Sequence, residues 1–401
     1  MSKPLYPSRR SFCAAMTTPT GDQALIKRIN TAIVLESILR GAPLSRAQIS
    51  EQTGLNKATV SSLVQDLIDG SLVREIGTGQ SSGGRKPVML EFVAASGYAI
   101  GIDLGVNYVR GALVDMRGVI LAEQTSPLRD SEPEAVFEQL CGCVEALIAE
   151  APPSPYGIVG IGAGVPGIVD EHGTILFAPN LQWRDIPLQR MLTERFGLPV
   201  IIDNEANAGA LGEQKYGAGR NIANLVYVSV GIGIGTGLIL NKSLYKGTTG
   251  FSGEMGHLSI EAHGQSCACG NRGCWELYAS ERALLKQASS LGFDDLEQLL
   301  AAASSGRQDV QELFADIGEY LGIGIANIVN IFNPDAVIIG NRLSQARPWL
   351  ENALRQTVVQ RALGFHLRKA QFLFAELGER SAMMGAAEMA ISGFFSRIKS
   401  A

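Results

Sequence analysis

Four side chains able to hold a metal ion fall close together: His257, then nine intervening residues, then Cys267, Cys269 and Cys274. Three thiolates and one imidazole complete a tetrahedral zinc shell and leave no position for water, which is the composition of a structural centre and not of a catalytic one. The expectation is one zinc per chain, held by His257, Cys267, Cys269 and Cys274. The competing reading is three buried free thiols. Cys13, Cys141 and Cys143 stand far from the cluster, so the six cysteines do not read as a disulfide framework. Two acids flank the centre, Glu254 and Glu276.

A second chemistry is implied near the N-terminus. Apolar residues at Ile29, Ile33, Val34 and Ile38 mark one face of a first helix, stopped by Gly41 and Pro43. Ser45 followed by Gln48 has the form of a capping box, opening a short helix that ends at Gly54. Asn56 can cap a third helix, whose inner face is Val60, Leu63, Val64, Leu67 and Ile68. The outward side is then Lys57, Ala58, Thr59, Ser61, Ser62 and Gln65, small and polar enough to let a helix enter a major groove. Two strands, Leu72 to Ile76 and Val88 to Phe92, enclose a Gly- and Ser-rich loop carrying Arg85 and Lys86. Such a wing can reach phosphates or a narrow minor groove. A helical hairpin followed by a plain solvated linker is the other reading of this region.

These groups require a multidomain protein to position them, and 401 residues exceed what a single core accommodates. Hydrophobic residues make up 46% and charged residues 18%, a balance that excludes a largely disordered chain. Residues 1–92 carry eleven Lys and Arg against seven Asp and Glu, so this part is +4 and the remainder −9 in a chain of net charge −5. That asymmetry points the N-terminus at nucleic acid. The longest apolar run, Leu225 to Leu240, holds four glycines and is too short to span a bilayer, so it reads as strand, turn and strand. Lys3, Arg9 and Arg10 lie among Pro, Ser and Thr, which makes residues 1–20 a disordered basic tail and not a secretory signal. The expected organisation is this tail, a winged helix-turn-helix over 21–92, a first lobe over 97–215 and a second lobe over 216–401. The C-terminal helix is expected to return to the first lobe. Strand-like runs at Val109 to Val114, Ile158 to Ile161, Val200 to Ile202 and Leu225 to Val230 alternate with helical stretches such as Pro133 to Ala149, an α/β pattern. Glycine-rich turns follow Asp103 and occupy Gly231 to Gly237, as expected of paired phosphate-facing loops. The reading is of a cytoplasmic protein with no membrane partner.

The zinc motif, with Gly164-Val-Pro-Gly167, Pro179-Asn180-Leu and Asp203-Asn204-Glu205-Ala-Asn207-Ala-Gly-Ala-Leu-Gly-Glu213, resembles the ROK family of repressors and sugar kinases over nearly all of residues 22–395. The resemblance implies an actin-like, two-lobed sugar kinase fold with sugar in the cleft. It makes Asn204, Glu205, Glu254, His257, Glu276 and Asn180 the sugar contacts. His257 would ligate zinc with one ring nitrogen and face sugar with the other.

Three departures set this chain apart from the kinases it resembles. The first phosphate loop reads Asp103-Leu-Gly105-Val106-Asn107, with valine where glycine lets backbone approach phosphate. Glu205 stands where the kinases carry a catalytic aspartate, and misplacing a base by about an ångström can cost about 10²-fold. Gly340-Asn341-Arg342 replaces a Gly-Gly near the adenosine pocket. The expectation is a binding protein and not an enzyme.

The segments Gly21–Lys27, Lys57–Ser61 and Gly77–Pro87 resemble the xylose-operon repressors of the family, which implies a homo-oligomer, dimer or tetramer, on a palindromic operator. It also implies D-xylose as the inducing sugar, a pentose without the exocyclic hydroxymethyl group that the hexokinase-type members phosphorylate. Two alternatives are an active hexose kinase with a fused DNA-binding domain and a regulator responding to zinc or oxidation at the cysteines.

Overall fold

The computed structural model describes residues 23–79 and 86–400. They divide into two compact units: an N-terminal one ending at Phe92, to which residues from Arg397 onward also belong, and one spanning 93–396. Cys13, Arg85 and the basic tail lie outside the described residues.

In the N-terminal unit, α1 (Gln23–Gly41), β1 (Leu44–Ser45), α2 (Arg46–Thr53), α3 (Lys57–Asp69), β2 (Val73–Thr78) and β3 (Val88–Phe92) follow in order. A reciprocal cap starts α2. Ser45 Oγ accepts the Gln48 N–H at 3.3 Å while Gln48 Oε1 accepts the Ser45 N–H at 2.9 Å. Gly54 ends the helix at φ 71°, a conformation that other residues adopt with strain. Asn56 Oδ1 then accepts the Thr59 N–H at 2.8 Å and starts α3. Val60, Leu63, Val64 and Leu67 are buried, as are Val34, Leu35 and Ile38 of α1. The apolar face read from the sequence of α1 is corrected in part: Ile29 and Ile33 are exposed at 51% and 39%, because only the C-terminal half of that helix is buried. The sheet order is β1-β3-β2, all antiparallel.

The larger unit opens with β4 (Tyr98–Leu104), β5 (Tyr108–Asp115), β6 (Ile120–Pro127), α4 (Pro133–Ala149) and β7 (Ile158–Val165). A small sheet follows, made of β8 (Ile168–Val169), β9 (Ile175–Ala178) and β10 (Trp183–Ile186). Then come α5 (Leu188–Phe196), β11 (Val200–Asn204) and α6 (Glu205–Tyr216). The second half contains β12 (Leu225–Val230), β13 (Ile234–Leu240), β14 (Ser243–Leu244), α7 (Glu276–Ala279), α8 (Glu281–Ala288), α9 (Leu296–Ser304) and α10 (Gln308–Phe332). It closes with β15 (Ala336–Gly340), α11 (Arg347–Arg361), β16 (Gln371–Phe374) and α12 (Ser381–Ser400).

Its two large sheets repeat one topology. Their orders are β11-β7-β4-β5-β6 and β14-β13-β12-β15-β16, so in each a three-strand meander is extended by two parallel strands added beside its first strand. Each half has its own apolar core, around Ile100, Ile102, Leu140 and Ile161 in the first and around Val228, Trp275, Phe314 and Ile339 in the second.

Helices α6 and α12 cross at glycines. A Cβ at Gly212 would fall 2.2 Å from the Ser381 carbonyl oxygen, and one at Gly385 would fall 1.6 Å from that of Ala208. Helix α12 also lies against the first sheet, where a Cβ at Gly162 would meet the Ala386 carbonyl at 1.8 Å. Beside the crossing, the fully buried Glu213 carboxylate accepts the N–H groups of Ala218, Glu376 and Leu377 and the Ser381 hydroxyl, at 2.7 to 3.2 Å. Because no room exists for a methyl group at the crossing, Gly385→Ala should destabilise the larger unit by roughly 1–3 kcal/mol or more, read as a lowered urea midpoint.

Candidate ligand cleft and metal centre

A cavity lies between the two sheets of the larger unit. Gly167–Val169, Asp203, Asn204 and Asn207 line one side; Gly235, Thr236 and Gly250–Glu254 line the other. The first wall is held by hydrogen bonds around the start of α6. Asn204 caps that helix, its Oδ1 accepting the Ala206 N–H at 2.8 Å, while its Nδ2 donates to the Gly167 carbonyl at 2.9 Å. Asp203 Oδ1 accepts from the Asn204 N–H and from Asn207 Nδ2, and Lys246 Nζ reaches Asp203 Oδ2 at 2.9 Å. On the second wall the Thr236 hydroxyl donates to the Gly253 carbonyl.

Three carboxyls converge on this region, and each is held above its ordinary pKa. Asp103, at the end of β4, is 2% exposed; burial raises it to about 6, although Tyr108 Oη donates to its Oδ2 at 2.9 Å. Its Oδ1 has no hydrogen-bond partner among the described residues. Glu205, the first residue of α6 and half-buried, is pushed up to about 8 by desolvation and by the charges of Asp103 and Glu254. Glu254 is raised by burial, against the opposing influence of His257.

From Glu254 a single helical turn, Met255–His257, leads to the cysteine cluster. One donor atom from each of His257, Cys267, Cys269 and Cys274 lies within 4.8 Å of the others. Cys267 Sγ is 3.7 Å from His257 Nδ1, and Cys269 Sγ is 3.7 Å from Cys274 Sγ. Tetrahedral geometry with metal–sulfur bonds of about 2.3 Å puts two sulfurs about 3.8 Å apart, so the side chains fit a tetrahedral metal ion. Burial raises the Cys267 and Cys274 thiols, Cys274 to about 12, whereas the Asn271 backbone N–H lowers Cys269. A bound cation supplies the charge that displaces such protons. Glu276 Oε1 sits 3.4 Å from both His257 Nδ1 and Cys267 Sγ, and its Oε2 would be 2.9 Å from a Cβ on Gly233. Glu276 therefore touches the metal cluster on one side and the glycine turn between β12 and β13 on the other.

Of the residues singled out from sequence, Asn204 and Glu254 line the cavity, Glu205 adjoins Asn204, and His257 and Glu276 form the neighbouring cluster. Asn180 does not line the cavity; its Oδ1 accepts from Arg282 Nη2 at 2.6 Å, joining the loop between β9 and β10 to α8. Sequence reasoning missed Asp203, Asn207, Thr236 and Lys246. Asp203 and Asn207 stand four apart in a run already singled out; Lys246 had no local signal, since its partner is distant in the chain. In the N-terminal unit Lys57, Ala58, Ser61, Ser62 and Gln65 are exposed on α3 with Thr59 half-buried, and Lys86 is exposed before β3.

Comparison with known proteins places this architecture. Residues 99–392 match the family model described as "ROK family". The chain belongs to the ROK family. It is 45% identical over 381 residues to a xylose repressor of Bacillus subtilis, covering 94% of this chain and 98% of that one. Among solved structures, a ROK family transcriptional regulator described as a homolog of the E. coli MLC protein superposes with a TM-score of 0.80 at 26% identity, covering 94% of this chain and 98% of that one. A ROK family glucokinase from Streptomyces griseus, solved with glucose and AMPPNP, gives a TM-score of 0.68 at 30% identity and covers 74% of this chain and all of that one. The glucokinase thus matches a stretch of the length of the larger unit, whereas the regulator and the repressor match nearly the whole chain. No helix among the described residues is long and apolar enough to cross a membrane.

The raised Glu205 has a measurable consequence. Between its ordinary value near 4.5 and about 8, the folded chain keeps a proton that the unfolded chain releases, so this group makes stability fall as pH rises through that window. Glu205→Gln should flatten the melting profile between pH 5 and about 8 and raise the melting temperature above that of the unsubstituted chain at pH 9, as read by circular dichroism.

Proposed function

We propose that this chain is a sugar-responsive transcriptional repressor that binds a palindromic operator and leaves it when D-xylose enters the cleft. The observation that carries this reading is the 45% identity to a xylose repressor over 94% of the chain, which spans both compact units. In the N-terminal unit the winged helix-turn-helix is the DNA reader. Lys57, Ala58, Thr59, Ser61, Ser62 and Gln65 of α3 face the major groove, while Arg85 and Lys86 meet phosphate. A homo-oligomer supplies the paired heads that tight binding needs, because a single recognition helix buries too little surface.

In the cleft, Asn204, Glu205 and Glu254 hydrogen-bond the sugar hydroxyls, with His257 and Glu276 held beside them by the metal centre; Asn180, bound to Arg282 outside the cavity lining, is not assigned a sugar contact. The centre is a structural zinc bound by His257, Cys267, Cys269 and Cys274; its role is to fix the turn that carries Glu254 and His257. The protein acts by binding and not by phosphoryl transfer. Val106 stiffens the first phosphate loop, and Glu205 is both longer than the aspartate the kinases carry and held largely protonated at neutral pH. The likeness to a glucokinase solved with glucose and AMPPNP favours one second reading, a hexose kinase fused to a DNA-binding head, which ATP turnover with glucose would establish.

D-Xylose without ATP should weaken operator binding by about 5–150-fold, the range of an allosteric coupling of roughly 1–3 kcal/mol. Titrating labelled operator complexes with xylose, glucose, arabinose and N-acetylglucosamine tests this; release by none of them, or release only with ATP hydrolysis, overturns the reading. Elemental analysis should find one zinc per chain, and Cys269→Ser should lose zinc and sugar affinity together. Loss of the sugar response with zinc retained would separate the two.

A further inference from the structure

One glycine in each of the two turns has another side chain of the protein packed against it. A Cβ on Gly105 would fall 2.4 Å from the ring of Tyr108, whose hydroxyl is bound to Asp103. At Gly231 the Asn341 amide stands 3.0 Å from where a Cβ would be and donates to Ser229 Oγ. Asn341 holds this place at φ 66°, and the next residue, Arg342, pairs with Glu281 at 2.7 Å and also with Glu297.

Glu379, on the turn that leads from β16 to α12, lies between these two groups. Its Oε2 takes the guanidinium of Arg110 on β5, which also donates to the Glu379 carbonyl at 2.6 Å. Its Oε1 accepts Gln345 Nε2 at 2.8 Å, from the turn that follows β15. One carboxylate therefore binds the first lobe with one oxygen and the second lobe with the other. Its charge is felt by Asp103 on the first lobe and by Glu281 and Arg342 on the second. Arg110 is only 15% exposed and stacks its guanidinium over Tyr108 with 4.9 Å to the ring centre. A guanidinium so enclosed needs an anion, because an unpaired buried charge is strongly unfavourable. An external phosphate would meet Asp103 and Glu379 there, so the anion that suits Arg110 is the one the chain brings itself.

We propose that Glu379 is a positioning residue, a built-in anion that ties the two lobes together beside the glycine turns and sets the lobe geometry in which the ligand cavity is assembled. The effect on sugar affinity rests on the function proposed above; the tie itself does not.

The test uses full-length protein with Glu379→Ala, Arg110→Gln with Glu379→Ala, and Glu379→Gln, with sodium acetate as the probe and sodium chloride at equal ionic strength as control. Acetate should raise the melting temperature of Glu379→Ala towards that of the unsubstituted chain, and should leave both the latter and the double variant unmoved. Affinity for D-xylose should fall about tenfold in Glu379→Ala, within the usual range of a coupling between sites, and recover with acetate. Unsubstituted melting and affinity in Glu379→Ala, or a loss that acetate does not restore, would overturn the proposal. Should Glu379→Ala fail to fold, Glu379→Gln keeps a partner for Gln345 and removes the charge; a xylose affinity equal to that of the unsubstituted chain would then overturn it. A chain whose unsubstituted form ignores xylose refutes the functional reading, while rescue of melting by acetate still decides the tie.

Discussion

Helices α6 and α12 meet so closely that their backbones share a space no side chain could occupy, with Gly212 and Gly385 at the contact and the Ala208 and Ser381 carbonyls against them. A crossing of this kind fixes the separation of the two helices. Glu213 anchors it. Its carboxylate gathers the N–H groups at Glu376 and Leu377 and the Ser381 hydroxyl, so the segment passing from β16 into α12 is anchored to α6. The same α6 begins at Glu205 with the Asn204 cap in the cavity wall. One helix thereby joins the cavity wall to the anchor.

The cluster of His257 and the three cysteines bears on a different segment. Residues 241–275 contain one short strand and one helical turn and are otherwise irregular, yet they contribute Gly250–Glu254 to the cavity. Chain of this kind has few backbone ladders to hold it, and a metal ion held by His257, Cys267, Cys269 and Cys274 would supply the missing constraint. Trp275, fully buried and donating to the Tyr320 carbonyl at 2.8 Å, pins the far end of the loop to α10.

Legibility in the sequence followed how local each cause was. The Ser45–Gln48 cap, the Gly54 turn, the inner face of α3 and the span of α4 were readable because each depends on neighbours a few residues away. The cysteine spacing was readable because metal geometry restricts it. The sheet formed by β8, β9 and β10 went unread, since its strands are two to four residues long and show no alternation. The exposure of Ile29 and Ile33 was unreadable for a related reason: periodicity marks a face, but what covers that face is decided by other elements. Lys246, Arg110 and Glu379 were invisible as site residues because their partners are distant in the chain and each looks like an ordinary surface charge until the fold closes.

The acid content of the cleft separates what it can hold from what it cannot. Desolvation raises Asp103 to about 6 and Glu205 to about 8, Glu205 also by the charges of Asp103 and Glu254, and Glu254 is raised as well, so a carboxyl here holds its proton to higher pH than it would in water. A partly protonated set of carboxyls both donates and accepts hydrogen bonds, as a polyol requires, since each of its hydroxyls also does both. A phosphoryl donor makes the opposite demand, for cations and backbone N–H groups around a multiply charged anion. Here Arg110 is paired with Glu379 and Lys246 with Asp203, while Tyr108 packs against Gly105 and Asn341 against Gly231. Under the function proposed above, this arrangement of charge and side chains suits a neutral ligand better than a multiply charged one.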